Sequence, residues 1–219
     1  MKKKKRWIAA AMIGICLIGT ISSLAYETDR ESVTNNFDTA SVEIHLREDA
    51  WDKLVDADVD GIKDAAEDLH QNQRVTKDPA VENASTLPVY TFLRVRIPVA
   101  DVMLVDYAPA ITQDVPLFSY TVNSGWKQLS STMADGYQEI WYGYTERVAV
   151  GDTTGTLFST VQYADVVEGQ IADNVILGLQ VDAYGIQAYG FLSMEQAFSA
   201  FDQDQPAMTG MIGKEVVNA

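Results

Sequence analysis

Three features of the 219-residue sequence predict an all-β protein: a jelly-roll-like β-sandwich with a short acidic insertion and a short C-terminal helix. Apolar and polar residues alternate over 41–47 and again over 89–99, which is the period of a strand with one buried face. Turn signals such as Asp135-Gly136 separate the candidate strands. Seven or more short strands divided in this way are typical of a sandwich or jelly roll. The other runs rich in β-branched and aromatic residues lie at 102–107, 117–122, 137–144, 156–163 and 175–187.

The C-terminal part of the sequence changes to a helical period. Met194, Ala197, Phe198 and Phe201 fall on one stripe of a helix, and Ser193 stands where an N-cap residue is preferred. No pattern is sustained beyond Phe201, so we expect residues 202–219 to form a tail.

The composition favours a folded core and restricts the partners. The hydrophobic fraction is 47%, which is too high for a disordered acidic tail, and the length suits one domain with an appended segment. The formal net charge of -15 argues against nucleic acid and against a bare anionic membrane surface, because both would repel the chain.

The N-terminus has the three regions of a secretory signal peptide. Residues 2–6 are all Lys or Arg, residues 7–18 are apolar or Gly, and small side chains stand at Ser23 and Ala25. We therefore predict that signal peptidase cleaves between Ala25 and Tyr26 during export. The alternative is an uncleaved anchor, which would be the chain's one contact with a membrane. As a helix, residues 7–18 reach only about 18 Å, against about 30 Å for the hydrocarbon core.

These patterns divide the chain into a signal peptide at 1–25, a β-sandwich domain at 26–201 with an acidic insertion at 48–76, and a tail at 202–219. The single cysteine, Cys16, lies within the signal peptide, so the exported chain contains no disulfide. We expect its stability to come from core packing, helped by a metal ion or by assembly.

The acidic insertion contains a candidate calcium loop of twelve residues, 56–67. Oxygen ligands fall at the spacing of an EF-hand-like loop, and Gly61 occupies the position of the sharp turn. The candidate ligands are the carboxylates of Asp56, Asp58, Asp60, Asp64 and Glu67 and the backbone carbonyl of Ile62. Ca²⁺ is the one cofactor that the sequence suggests. The alternative is a solvated acidic linker or a short helix over 61–70.

The sequence contains no pattern that indicates catalysis. Neither His45 nor His70 lies in a His-Glu-x-x-His helix, and the Gly-x-Ser-x-Gly elbow and the phosphate loop are missing. We therefore predict a non-enzymatic protein with no catalytic residue and no required cofactor. A carboxylate pair for glycoside hydrolysis leaves no local signature, so this alternative stays open.

Several segments, taken in order, resemble a known family. They are the junction Ala25-Tyr26-Glu27-Thr28-Asp29, then 34–37, 42–46, 77–83, 95–98, Gly125-Trp126, 142–144, 151–158 and 183–191. In this order they are similar to the secreted proteins processed by a SipW-type signal peptidase, the family of the biofilm matrix protein TasA and of camelysin. The likeness extends over almost the whole chain to Phe201.

The resemblance implies an exported jelly-roll domain that assembles into extracellular fibres. In such assembly the N-terminal segment of one mature subunit adds as a strand to the sheet edge of the next, and its apolar side chains fill a groove. The side chains available for this role are Tyr26, Val33 and Phe37.

The sequence therefore predicts a secreted structural protein of the extracellular matrix, such as a biofilm, or of the cell surface. Its partners would be signal peptidase during export, then further copies of itself or other matrix proteins. A calcium-dependent extracellular binding module is the alternative. A camelysin-like secreted protease is the third reading, although the sequence offers no catalytic motif for it.

Overall fold

The computed structural model describes residues 41–107, 109–171 and 178–203. Within these ranges the chain forms antiparallel strands, two short 3-10 turns and one α-helix, so the predicted all-β, sandwich-like fold class is confirmed. The strands are β1 (Ile44–Arg47), β2 (Arg74–Thr76), β3 (Ala80–Asn83), β4 (Val89–Met103), β5 (Ile111–Pro116), β6 (Phe118–Tyr120), β7 (Trp126–Ala134), β8 (Tyr137–Tyr144), β9 (Thr160–Tyr163) and β10 (Gln180–Gln187).

The strands form three sheets. The largest has the order β10-β4-β8-β7, and β5 pairs with the far end of β4. A second sheet has the order β2-β9-β6, and β1 pairs with β3 in a third. The loop after β8 extends the β1-β3 pair through a bridge between Glu82 and Thr153.

Alternation along β4 separates two apolar regions. Leu93, Val95 and Ile97 are at most 3% exposed and belong to the main core, which also receives side chains from β1, β2, β3, β6 and β9. Arg94 and Arg96 lie on the opposite face of β4, as the sequence predicts. The main core therefore lies between the inner face of the large sheet and the two smaller sheets.

The C-terminal helix α1 (Met194–Gln203) covers the outer face of the large sheet. Met194, Ala197 and Phe201 are buried there against Phe92 and Trp141. The predicted helix and its apolar stripe are thus confirmed. The predicted cap is confirmed too, since the Gln196 amide donates a hydrogen bond to the Ser193 hydroxyl at 3.3 Å.

The contact between α1 and β8 requires a glycine at position 143. A Cβ built on Gly143 would collide with the thioether of Met194. We expect Gly143→Ala to lower the free energy of unfolding by about 1 to 3 kcal/mol, because Met194 and the start of α1 must move. Urea unfolding measures this effect. The control is Gly155→Ala, where a Cβ meets no atom within 4 Å, and an equal loss in both variants would contradict this packing.

Two expectations about β4 are wrong. Proline cannot donate to a ladder, so Pro98 favours a strand terminus or an edge, but the strand does not end there and β4 continues to Met103. Pro98 is the last residue paired with β8, and from Val99 onward the strand pairs with β5, so the ladder changes partner where proline stands. Residues 102–107 are not a separate strand either: Val102 and Met103 end β4, and Val105–Tyr107 form a 3-10 turn.

The turn between β7 and β8 follows its sequence signal. Asp135 and Gly136 both have positive φ angles, 52° and 79°, and they join Ala134 to Tyr137 as a two-residue hairpin.

Residues 1–40 and 204–219, which hold the predicted signal peptide and most of the tail, lie outside the described residues. Within the described ranges, no helix combines the length and hydropathy needed to span a membrane.

Candidate calcium-binding loop

The acidic insertion forms a loop between β1 and β2 that is anchored to the core at both ends. Near its start, Trp51 is 3% exposed. The Asp78 carboxylate accepts hydrogen bonds from the amides of Ala50 at 2.9 Å and Trp51 at 3.0 Å. Toward its end, Ala66 and Leu69 pack against the main core. The candidate ligands thus lie between two anchored segments.

The first three predicted ligands converge. Asp56, Asp58 and Asp60 each place one carboxylate oxygen within 4.8 Å of the other two. The chain turns sharply between them and the following residues, with φ of 61° at Val59 and 94° at Gly61. Glycine adopts this conformation without steric cost, which is why the loop needs it at position 61.

Hydrogen bonds within the loop hold this shape. The Ile62 amide donates to Asp60 Oδ1 at 2.8 Å, and the Ala57 amide donates to Asp64 Oδ1 at 2.8 Å. The Asp64 amide in turn donates to the Val55 carbonyl at 2.9 Å. Asp64 therefore joins the beginning and the end of the loop. The alternative of a helix over 61–70 is wrong, because only Asp64–Ala66 form a 3-10 turn.

Two carboxylate oxygens of the loop are buried without a hydrogen-bond partner among the described residues. They are Asp56 Oδ1 and Glu67 Oε1, the predicted ligands at the first and last positions. A buried acceptor without a donor is costly, and native proteins seldom leave one unsatisfied. A cation bound by the converging carboxylates would satisfy Asp56, whereas Glu67 does not belong to the group formed by Asp56, Asp58 and Asp60.

The charges of the loop repel one another. Burial raises the pKa of Glu67 above its ordinary value of 4.5, and the neighbouring carboxylates of Asp58, Asp60, Asp64 and Asp68 raise it further. Glu67 is thus close enough to the converging aspartates to be affected by their charge. Among the described residues, no ion pair with Lys or Arg involves the acids of this loop.

Because the pKa of Glu67 is raised, we expect replacement of Glu67 to stabilise the metal-free chain but to weaken calcium binding. The folded chain holds this proton more tightly than the unfolded chain, so ionised Glu67 costs stability at neutral pH. The cost is absent below pH 4.5 and appears as the pH rises through the folded pKa. Without metal, we expect Glu67→Gln to raise the thermal midpoint at neutral pH but not in acid. With metal, we expect calcium affinity to fall by at least about tenfold.

Thermal unfolding with a chelator at two pH values, together with calcium calorimetry, tests this pair of effects. The control is Glu168→Gln, which removes an equal charge at an exposed site outside the loop. A variant that is stabilised in chelator but keeps its full calcium affinity would exclude Glu67 as a ligand.

The donor set suits calcium. Ca²⁺ takes six to eight hard oxygen ligands in flexible geometry, and carboxylates converging around a tight turn provide them. Asp56, Asp58 and Asp60 are brought together, with Glu67 nearby, while Ile62 follows the turn directly.

The predicted cleavage residues Ala25 and Tyr26 and the assembly residues Val33 and Phe37 lie outside the described residues and stay predictions.

No protein-family model, curated protein or solved structure matches this chain significantly.

Sequence reasoning missed a buried ion pair beside the loop. Lys77 and Glu48 have side chains 2% and 3% exposed, and Lys77 Nζ donates to Glu48 Oε2 at 2.9 Å. Burial raises the pKa of Glu48 against the opposing effect of Lys77. The burial of Lys77 could have been predicted from the sequence. Lys77 lies two residues after Val75, so the alternation that begins in β2 places both side chains in the core.

A small cavity adjoins Lys77 of this pair. Its volume is about 30 Å³, enough for one water molecule. Lys77 and Trp51 line one part of it, and Ala66 and Leu69 from the acidic insertion line another. Lys77 and side chains of the acidic insertion thus line the same cavity.

Proposed function

We propose that this protein is exported and acts outside the cell as a non-enzymatic structural subunit of an extracellular matrix or cell surface, comparable to TasA-type fibre proteins. The signal-like N-terminus and the ordered resemblance to SipW-processed proteins support export and the structural role. In this role the acidic loop binds Ca²⁺, which is abundant outside cells. Its partners are further copies of the chain or other matrix proteins.

The observation that supports assembly best is the open edge of the large sheet. β7 is nine residues long, and among the described strands only β8 pairs with it. Such an edge presents unpaired backbone groups to which an extended peptide can add. A bulge interrupts the ladder between Gln128 and Ser130, after which Ser131–Ala134 continue regularly and are exposed. This regular part is the acceptor we infer.

A charge on this edge should block assembly. Met133 is 54% exposed on β7, and we expect Met133→Lys to suppress self-association, because lysine at a sheet edge opposes strand addition. Light scattering of the processed chain during acidification measures association, since protonation removes the repulsion due to its net negative charge.

The matched control for the edge variant is Leu192→Lys. Leu192 is 91% exposed in the turn before α1, so the same charge is added away from β7. Equal association of the wild type and both variants would rule out this edge as the acceptor, and a wild type that stays monomeric throughout would count against the fibre role itself.

The alternative is a calcium-dependent binding module that recognises a polymer or a protein without polymerising. The converging carboxylates favour it as much as they favour the structural role. Sedimentation of the calcium-loaded chain separates the two: the structural subunit forms large species under the conditions above, whereas the binding module stays monomeric with calcium bound.

A further inference from the structure

The buried Lys77–Glu48 pair is arranged as a reactant pair as well as an ion pair. Lys77 Nζ is hydrogen-bonded to Glu48 Oε2 at 2.9 Å, while Glu48 Oε1 is buried and has no partner among the described residues. The ring of Trp51 covers the amine, with Nζ 4.5 Å from its centroid. An amine held against a carboxyl group in one orientation has the advantage of an intramolecular reaction.

Burial favours the uncharged forms that this reaction needs. In water an amine and a carboxylic acid ionise and do not condense, but the interior penalises both charges. The pKa of Glu48 is raised chiefly by its burial. The exposed Lys127–Glu195 pair gives the contrast: its contact is 2.8 Å, yet the hydrogen bond from Lys127 lowers the pKa of Glu195 to about 2. Exposure and the hydrogen bond thus favour the ionised form of Glu195, whereas burial disfavours the ionised form of Glu48.

We propose that Lys77 and Glu48 condense to an intramolecular amide that crosslinks the folded domain. The uncharged Nζ of Lys77 attacks Cδ of protonated Glu48, and the Nζ–Cδ bond forms. The bond from Cδ to Oε2 breaks, and Oε2 leaves as water with its own proton and one from Nζ. Oε1 remains as the amide oxygen. No other reactant is consumed, and the cavity beside Lys77 has the volume of one water molecule.

The crosslink would close the base of the calcium loop. Residues 48 and 77 flank the whole candidate loop at 56–67, and Trp51 and Leu69 line the cavity beside Lys77. The predicted mature chain contains no cysteine, so this amide would take the place that a disulfide has in other exported domains. Closing a loop reduces the conformational freedom of the unfolded chain and so stabilises the fold.

Peptide mapping of the full chain tests the proposal. The purified protein is unfolded in denaturant and digested with trypsin, and the peptides are weighed. The amide predicts that residues 48–53 are joined to residues 75–94, uncut after Lys77, with the mass of the two peptides less one water. Separate peptides 48–53, 75–77 and 78–94 would overturn it, leaving only an ion pair.

Two controls accompany the map. Lys127 and Glu195 make an equally short contact in solvent, so they should appear as free side chains in the same digest. Lys77→Arg keeps the positive charge but cannot form this amide, and it should release peptide 48–53. The wild-type map decides the proposal even if this variant does not fold, and a joined peptide that persists in Lys77→Arg would also contradict it.

Discussion

Replacing Asp58 and Asp60 together by Asn is expected to lower the affinity of the chain for Ca²⁺ by at least about 100-fold. Both residues place a carboxylate oxygen in the convergent group with Asp56, and both are exposed, so their replacement disturbs no core packing. Asn keeps the shape of each side chain but removes two charges that attract the cation. The hydrogen bond from the Ile62 amide to position 60 can still form to the amide oxygen.

Calorimetry with calcium gives the affinity, and thermal unfolding with and without calcium gives its consequence for stability. Calcium should raise the midpoint of the wild type and leave the double variant unchanged, since a ligand stabilises only the state that binds it. The matched control is Asp49→Asn with Asp52→Asn, which removes equal charge from the insertion outside the twelve-residue loop. An equal loss of calcium affinity in both double variants would mean that Ca²⁺ is attracted by the general negative charge of the insertion and does not bind at this site.

Replacing Asn83 by Ala is expected to lower the free energy of unfolding by about 4 kcal/mol. Asn83 is fully buried, and its amide nitrogen donates to the carbonyls of Leu87, Val148 and Ala149 at 3.0 to 3.1 Å. Its side-chain oxygen accepts from the Ser85 amide at 2.9 Å. Alanine leaves the Leu87 carbonyl and the Ser85 amide without their partner, while the carbonyls of Val148 and Ala149 keep the bonds from the amides of Val89 and Asp152. The side-chain link between β3, the residues before β4 and the loop after β8 is lost.

Urea unfolding of Asn83→Ala measures this cost. The control is Thr86→Ala, an exposed residue in the same turn, where we expect a change within about 0.5 kcal/mol. A loss below about 1 kcal/mol in Asn83→Ala would show that these hydrogen bonds are replaced by water in the folded chain.

The elements that could be predicted are those whose sequence pattern reflects burial. The 137–144 run was predicted with the bounds that β8 has, because its central position in the sheet requires apolar and aromatic residues on both faces. The stripe of α1 was predicted for the same reason: it faces a sheet. Strands β5 and β7 were missed, since most of their residues are exposed and polar and show no sustained alternation.

The candidate site was predictable only in part. The spacing of Asp56, Asp58 and Asp60 around Gly61 indicated convergence, since alternate side chains before a tight turn face one centre. Spacing could not indicate that Asp56 Oδ1 and Glu67 Oε1 are buried without partners, because this depends on packing against residues distant in sequence. Glu48 was missed although it continues the alternation of Ile44 and Leu46 one residue past β1, because a carboxylate is seldom buried without a partner and its partner Lys77 is distant in sequence.

Electron microscopy of the processed chain, beginning at Tyr26, tests the central claim most directly. The protein is concentrated with calcium and acidified in steps, so that the repulsion between its carboxylates falls. We expect unbranched filaments built from repeating sandwich domains, in numbers that fall when Met133→Lys is used instead. Single particles of monomer size at every pH and calcium concentration would contradict the account.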